Sequence, residues 1–168
     1  MQLTHYNAKF KQHTFPITLV CDNVSNALNI GSLFRISDAF GIDTLILCGD
    51  AIPLGRKITK TSRSTEKVVN YKIEPSAIAV VKRLKEEGSQ IISLEITSTS
   101  FPIHTFEFSN EKPIVLVVGD ENFGISEAIL NQSDAIAHID MFGTNSSMNV
   151  VQATNIALYE ITKQLKVF

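Results

Sequence analysis

The sequence has two cysteines, no long apolar run and almost no net charge, and each shortage excludes a class of protein. Cys21 and Cys48 each end a short apolar run, which is typical of small buried hydrophobic residues and not of a disulfide or a zinc site. No apolar run approaches the ~18 to 20 residues that span a bilayer. A formal net charge of -2 gives no overall basic field, so any nucleic-acid contact must come from a local cluster.

The length and the hydrophobic content predict one globular domain over residues 1–168. A chain of 168 residues with 44% hydrophobic content can bury a substantial core. Residues 1–15 are mixed and polar without a clear period, so we expect a short N-terminal arm there. The first residues lack the charged-then-apolar order of a signal sequence, and we therefore expect a cytoplasmic protein without a membrane segment.

The apolar runs predict an α/β fold with a mostly parallel sheet flanked by helices. Short buried strands are expected at residues 17–21, 44–48, 90–94, 113–118 and 135–139. Residues 90–94 are the third of these strands. Residues 113–118 are the most apolar run and are expected to form a central strand. The helix predicted from about Asn29 to Phe40 buries Ile30, Leu33, Phe34 and Ala39. Further helices are expected from Pro75 to Gly88 and from Ser126 to about Asn131, with residues 101–108 as a short extended crossing segment.

The last long stretch combines a polar loop with an amphipathic helix. Ser147 or Asn149 is expected to cap that helix, because short polar side chains there accept from free backbone N–H groups. One apolar stripe recurs at three- and four-residue steps, at Val150, Thr154, Ala157, Leu158, Ile161 and Leu165. A polar or anionic ligand group is stabilised at such a helix N-terminus, although an ordinary strand-loop-helix connection has the same pattern.

The segment between Arg56 and Lys72 is the one dense basic stretch. It holds six basic residues against the single acid Glu66, interleaved with serine and threonine. Two interpretations stay open, a solvated mobile loop or a phosphate-binding surface. In the second interpretation the RNA-binding residues are Arg56, Lys57, Lys60 and Arg63.

Three polar loops follow the predicted strands, and ligands of open α/β sheets bind outside the carboxyl ends of strands. The first offers Asn29, Gly31 and Arg35; Asn29 and Arg35 are six residues apart and share no helical face unless Asn29 precedes the helix. The second places Glu121 between two glycines. It matches neither the dinucleotide fingerprint nor the phosphate loop, so NAD and ATP are disfavoured.

These loops carry a resemblance to a known family. Asn29-Ile-Gly-Ser-Leu-Phe-Arg35, Gly119-Asp-Glu-Asn-Phe-Gly-Ile-Ser126 and Ile139-Asp-Met-Phe-Gly143 with Ser147-Met-Asn-Val150 resemble, in order, the three motifs of the SpoU (TrmH) family of SPOUT-class RNA methyltransferases. The resemblance implies a C-terminal deep trefoil knot, S-adenosylmethionine as methyl donor, a homodimer, and methylation of a ribose 2′-hydroxyl in tRNA or rRNA. Asp140, where proline is common, and Val151, where serine is common, depart from the pattern.

The resemblance also implies roles for individual residues, with no metal. Arg35 is the expected catalytic residue, either as a base or by stabilising the developing alkoxide and the adjacent phosphate. Asn29 and Glu121 would orient it, partly through a Glu–Arg pair, while Ser147 and Asn149 would hold the RNA phosphate and the loop. The cofactor would be held mainly by backbone groups at Leu94, Gly119, Ile139 and Met148.

Three alternatives remain at this point. The chain could methylate a different RNA position, or bind RNA on the same fold without turnover. It could also be a Rossmann-like domain for another nucleotide, which the missing fingerprints disfavour.

Overall fold

The computed structural model describes residues 10–50, 52–53 and 55–166. Its strands are β1 (Phe15–Asp22), β2 (Ile42–Cys48), β3 (Tyr71–Glu74), β4 (Gln90–Leu94), β5 (Phe101–Pro102), β6 (Ile114–Gly119) and β7 (Ala135–His138). Its α-helices are α1 (Ala27–Ala39), α2 (Arg56–Ser62), α3 (Ala77–Glu86), α4 (Glu127–Leu130) and α5 (Val150–Leu165). Short 3-10 turns cover Thr65–Lys67 and Ile103–Thr105.

The strands form one parallel sheet in the order β3-β2-β1-β6-β4-β7-β5. This confirms the α/β class and the central place of residues 113–118, which supply β6. Because all strands run the same way, their carboxyl ends share one edge, where Asp22 of β1 is in register with Gly119 of β6. The polar loops of the sequence therefore meet along that edge.

The sheet is covered on both faces, which explains why its strands are apolar at successive positions. In β6, alternate residues enter different cores: Ile114, Leu116 and Val118 pack with the α1 and α5 side, and Val115 and Val117 with the α3 and α4 side. Successive side chains along a strand point to opposite faces of the sheet. Burial on both sides fixes β6 as the rigid centre from which the second motif projects.

The two helices that carry the outer motifs are close to the predictions. Every residue of the predicted α5 stripe is buried, and Asn149 caps the helix by accepting from the Val151 N–H at 2.9 Å. Helix α1 begins two residues earlier than predicted, because Asn26 accepts from the backbone N–H groups of both Leu28 and Asn29. Ala39 is exposed, contrary to the prediction, and Ser37 is buried instead.

The first part of the basic segment is helical, so the prediction of a loop was wrong there. Residues 56–62 form α2, and the 3-10 turn follows. Ile58 and Ser62, four residues apart, are buried against α1, where a Cβ on Gly31 would lie 2.6 Å from that of Thr61. Glycine at position 31 therefore lets the two helices approach closely.

Strand β3 was missed because its residues have little apolar content. It is an edge strand with exposed and partly buried positions, so the pattern of a strand buried on both faces is absent. Residues 90–94 are consequently the fourth strand, not the third. Of the predicted extended segment at 101–108, only Phe101–Pro102 pairs in the sheet. Residues 1–9 of the predicted arm lie outside the described residues.

Both cysteines are buried and free of disulfides, as predicted. Burial raises the pKa of the Cys48 thiol to about 12, with a further contribution from the neighbouring carboxylate of Asp22, and burial also raises the pKa of Cys21. Both thiols therefore stay protonated. In the described part of the chain, no helix has the length and hydrophobicity to cross a membrane, and no cluster of three metal-ligating side chains occurs.

Candidate active site

A cavity of about 470 Å³ opens at the carboxyl edge of the sheet, between the ends of β4 and β6 and the start of α5. Its volume lies within the usual range for small-molecule sites. All four residues predicted to hold a cofactor line it: Leu94, Gly119, Ile139 and Met148. They come from four separate places in the chain, and the fold alone brings them together.

The wall of the cavity is mostly apolar, and the charged side chains in it are all acidic. Aliphatic and methionine side chains supply most of the lining. Its ionisable side chains are those of Glu95, Asp120 and Glu121, and no lysine, arginine or histidine is among the lining residues. A polyanionic ligand such as a dinucleotide would be repelled there, whereas a cationic ligand would be stabilised.

The turn after β6 is fixed by its own backbone and by Asp120. The Asp120 carboxylate accepts from the N–H groups of Asn122 and Phe123, and the Gly124 N–H donates to the Asp120 carbonyl at 2.8 Å. A Cβ on Gly119 would overlap the Gly124 backbone. The turn therefore needs glycine at position 119 and holds Glu121 in a defined place.

Two carboxylates at the ends of β1 and β4, the strands on either side of β6, anchor the same turn from outside. Glu95, just after β4, accepts from the Ile125 N–H at 3.0 Å through one oxygen and from the Ile96 N–H at 2.9 Å through the other. Asp22, at the end of β1 and only 5% exposed, accepts from the Ser126 N–H at 3.1 Å. Successive amides of one turn are thus bound to two different strands.

The three motifs meet in a triangle of hydrogen bonds at the rim of the cavity. Asn29 donates its side-chain amide to the Glu121 carboxylate, and Asn149 donates to the same carboxylate at 2.9 Å. Asn149 also donates to the side-chain oxygen of Asn29 at 3.2 Å. Asn29 and Asn149 are 92 and 28 positions from Glu121 in the sequence, yet both bind its carboxylate. These hydrogen bonds join α1, the turn after β6 and α5.

Arg35 is not a member of this triangle, and the predicted Glu–Arg pair is absent from the described structure. Its side chain is exposed and has no ion pair among the described residues. Asn29 lies inside α1, so six residues separate the two by about 9 Å along the helix and about a third of a turn around it. Glu121 is occupied by two amides instead.

Ser147 lines the cavity from the α5 side. It is exposed, and its backbone N–H donates to the side-chain oxygen of Asn145 at 3.4 Å. Its hydroxyl has no protein partner in the described structure. The residue thus presents a free hydroxyl beside the triangle.

The predicted RNA-binding residues form an exposed basic surface on α2 and the residue after it. Arg56, Lys57, Lys60 and Arg63 are all exposed and make no ion pair within the described residues. The one acid of the segment, Glu66, accepts from the Ser62 hydroxyl and is thereby engaged. We call these four residues the α2 basic surface.

The sequence did not identify several residues of this region. Glu95 and Asp22 were missed because their role depends on partners 30 and 104 residues away. Phe123 and Phe142 were missed as well, although they are 91% and 97% exposed beside the cavity and in the third motif. Two phenylalanines inside polar loops are the signal that could have identified them.

Comparison with known proteins decides the family. The model of the SpoU rRNA Methylase family matches residues 16–159. The chain belongs to this family. All three motif loops of the SpoU chain, and every strand except the first residue of β1, lie inside that match.

Two curated relatives and one solved structure illustrate the similarity. The chain is 26% identical over 150 residues to the 23S rRNA (guanosine-2′-O-)-methyltransferase RlmB of Pseudomonas aeruginosa, covering 89% of this chain and 59% of RlmB. It is 31% identical over 154 residues to the tRNA (guanosine(18)-2′-O)-methyltransferase of Aquifex aeolicus, covering 88% and 69%. The AdoMet-bound rRNA methyltransferase of Sinorhizobium meliloti shares the fold, with a TM-score of 0.83, 22% identity, and coverage of 94% and 62%.

The SpoU chain spans about three fifths of the length of the RlmB proteins that it matches. The similarity therefore concerns only the matched part of those proteins. The parts of RlmB outside the matched region are not aligned with this chain.

Proposed function

We propose that this protein transfers a methyl group from S-adenosylmethionine to a ribose 2′-hydroxyl of tRNA or rRNA. The observation that carries the proposal is the convergence of Asn29, Glu121 and Asn149 at the rim of a cavity of fitting size. Relatives from the same family are named as ribose methyltransferases of 23S rRNA and of tRNA. The likeness and the local geometry thus support the same reaction.

The cavity fits the proposed methyl donor in size and in charge. When bound, S-adenosylmethionine supplies an electrophilic methyl group on a positively charged sulfur. Apolar walls suit its adenine and its carbon chain, and Gly119 and Ile139, whose backbone groups would hold the cofactor in this proposal, line the cavity. The three lining carboxylates stabilise a cation and disfavour NAD and ATP.

We assign the reacting hydroxyl to the space outside the triangle, within reach of Arg35. A ribose hydroxyl is a weak acid, so its reaction needs either a base or stabilisation of the developing negative charge. An unpaired guanidinium on α1 is free to bind the alkoxide and the adjacent phosphate. Ser147 lines the cavity, its hydroxyl has no partner among the described residues, and in this proposal it holds the RNA phosphate.

The triangle takes a positioning role in this proposal. Asn29 and Glu121 orient the ends of α1 and α5 rather than Arg35 directly, since their hydrogen bonds are to each other and to Asn149. Asn149 also caps α5. Because Glu121 and Asn149 are exposed, loss of one hydrogen bond of the triangle costs about 0.5–1.5 kcal/mol.

RNA would be bound by the α2 basic surface and by exposed aromatic rings. Four cations that make no ion pair among the described residues are suited to phosphates. Phe123 and Phe142 supply apolar faces on which unpaired bases stack. With RNA as its substrate, the protein would act in the cytoplasm.

We also propose a homodimer. Helices α1 and α5, which carry Asn29 and Asn149, expose Leu28, Ile156 and Tyr159. Apolar side chains on adjacent helices suit a self-complementary two-fold interface. The molar mass from light scattering tests this directly, because a monomer would contradict it.

We further propose that residues 1–168 form one SPOUT domain with a knotted C-terminal part. Strands β4 and β5 are consecutive in the chain, and β7 lies between them in the sheet. The segment that follows β7 therefore starts inside the loop that joins β4 to β5. The end of α5 then binds the segment after β5, where Gln164 donates to the Phe106 carbonyl at 3.1 Å and accepts from the Phe108 N–H at 2.9 Å. An experimental structure whose C-terminal segment passes outside that loop would contradict the knot.

The function is tested in two steps. Calorimetry with S-adenosylmethionine, NAD and ATP should show binding of the first only. Mapping of 2′-O-methyl sites in total RNA from cells with and without the gene should then show one or more sites lost. Cofactor binding without any lost site would instead favour an RNA-binding protein without turnover, and binding of NAD or ATP would reject the cofactor.

A further inference from the structure

Glu95 is a charged side chain of the cavity that has no part in the proposed chemistry of the hydroxyl. It lies just after β4, is partly buried, and lines the cavity together with Leu94. Its two oxygens accept from the N–H groups of Ile96 and Ile125. Because both oxygens are bound to backbone, the negative charge is held at a fixed place in the wall.

No cationic side chain of the cavity wall neutralises the charge of Glu95. The other ionisable lining residues are Asp120 and Glu121, both acidic, and no cationic side chain lines the cavity. Glu95 makes no ion pair within the described residues. Its donors are neutral amides, which orient the carboxylate and leave its charge in place.

We infer that Glu95 sets the preference of the cavity for a positively charged methyl donor over its neutral product, and so promotes product release. This rests on the proposed function. In methyl transfer the carbon–sulfur bond breaks as the new carbon–oxygen bond forms, and the electron pair stays on sulfur. The sulfonium becomes a neutral thioether, and the hydroxyl proton passes to solvent or a base. A carboxylate in the wall stabilises the first state of the ligand more than the second.

The experiment compares ligands of nearly equal shape and different charge. Dissociation constants of S-adenosylmethionine and S-adenosylhomocysteine are measured by calorimetry for the wild type and for Glu95→Gln. Their ratio is insensitive to a general loosening of the cavity, which weakens both ligands. We expect Glu95→Gln to shift the ratio toward the neutral ligand by about threefold or more, because one opposite charge is lost from the wall. Sinefungin, whose amine is protonated, should follow S-adenosylmethionine.

The structure offers a matched control in Asp22. Its carboxylate accepts from the Ser126 N–H, the amide next to the one that Glu95 binds, but Asp22 is not among the lining residues. Asp22→Asn therefore disturbs the same turn without changing the charge of the cavity wall. We expect it to weaken both ligands equally and to leave the ratio unchanged.

A second variant keeps the test decisive if Glu95→Gln does not fold. Ile96 is exposed and lines the cavity, so Ile96→Lys places a cation beside Glu95 at little cost to the core. Relative to Ile96→Gln, it should shift the ratio in the same direction. A ratio that stays at the wild-type value in both charge variants, or shifts equally in Asp22→Asn, would overturn the inference. Failure of the wild type to bind either ligand would remove the proposed function itself.

Discussion

The cavity edge and the α2 basic surface differ in whether their polar side chains are bound to other protein groups. At the cavity edge, carboxylates and amides are bound to one another, as in the triangle of Asn29, Glu121 and Asn149. On the α2 basic surface, four exposed cations have no ion pair within the described residues. A preorganised acidic site suits a small cationic ligand, whereas free cations on an exposed helix suit a polyanion.

Helix α1 joins the two regions. Asn29 in its first turn belongs to the triangle, and Gly31, two residues later, packs against α2. Arg35 lies one helical turn beyond Gly31, on the same face. The same helix thus contributes Asn29 to the triangle, Gly31 to the contact with α2, and the exposed side chain of Arg35.

Replacing Arg35 by alanine should have the largest effect. Loss of a group that stabilises developing negative charge is expected to lower kcat by about 10²–10³-fold. Calorimetry should show cofactor affinity unchanged, because Arg35 does not line the cavity. Arg83→Ala serves as the control, since that arginine is exposed and pairs with Glu74 on the α3 side. Normal turnover in Arg35→Ala would remove Arg35 from the mechanism.

Neutralising the α2 basic surface should separate RNA binding from cofactor binding. Substitution of Arg56, Lys57, Lys60 and Arg63 by glutamine should reduce the salt slope of RNA affinity by about 0.7 to 0.9 per lost phosphate contact. Cofactor affinity should stay the same. The slope is measured from RNA titrations at several salt concentrations.

A matched control removes charge elsewhere. Lys11, Lys82 and Lys112 are also exposed and without ion pairs in the described chain, and their joint substitution by glutamine should leave the slope unchanged. Equal loss of slope per charge in both sets would mean that the α2 basic surface has no special role.

Substitution of Gly31 by alanine tests the junction between the two regions. The added Cβ would lie 2.6 Å from that of Thr61 and 3.0 Å from the Ile58 carbonyl oxygen, so the free energy of unfolding should fall by about 1–3 kcal/mol. RNA affinity should fall with it as α2 is displaced. Gly143→Ala is the control, because no atom lies within 4 Å of its added Cβ. Denaturant unfolding that gives equal stabilities for both variants would contradict the packing role.

An effect of similar size, but on RNA affinity alone, is expected for Phe123→Ala. Loss of one stacked base lowers RNA affinity by about 1–3 kcal/mol, and Phe123→Tyr, which keeps the ring, should retain that affinity. Fluorescence titration with RNA that carries 2-aminopurine reports stacking directly. An alanine variant with unchanged affinity and fluorescence would show that this exposed ring takes no part in binding.

The features that could be predicted are those that depend on neighbouring residues. Strand β6 was predicted as central because a continuous apolar run needs burial on both faces. Asn149 was one of two predicted capping residues, with Ser147, and the cap was predictable because the Val151 N–H that it binds is two residues away. Helix α2 escaped prediction because its burial consists of Ile58 and Ser62 against Gly31, which a basic sequence does not reveal.

The amino-acid sequence by itself determined the parallel α/β class and the motifs that identify the family, since these follow from local periodicity and from residue identity. Only the tertiary structure decided that Asn29 and Asn149 share Glu121 in place of Arg35, and that Glu95 and Asp22 anchor one turn. Such contacts join residues about 30 to 104 positions apart, and a hydrogen bond needs its two atoms near 3 Å. That precision comes from the packing of the sheet and its helices.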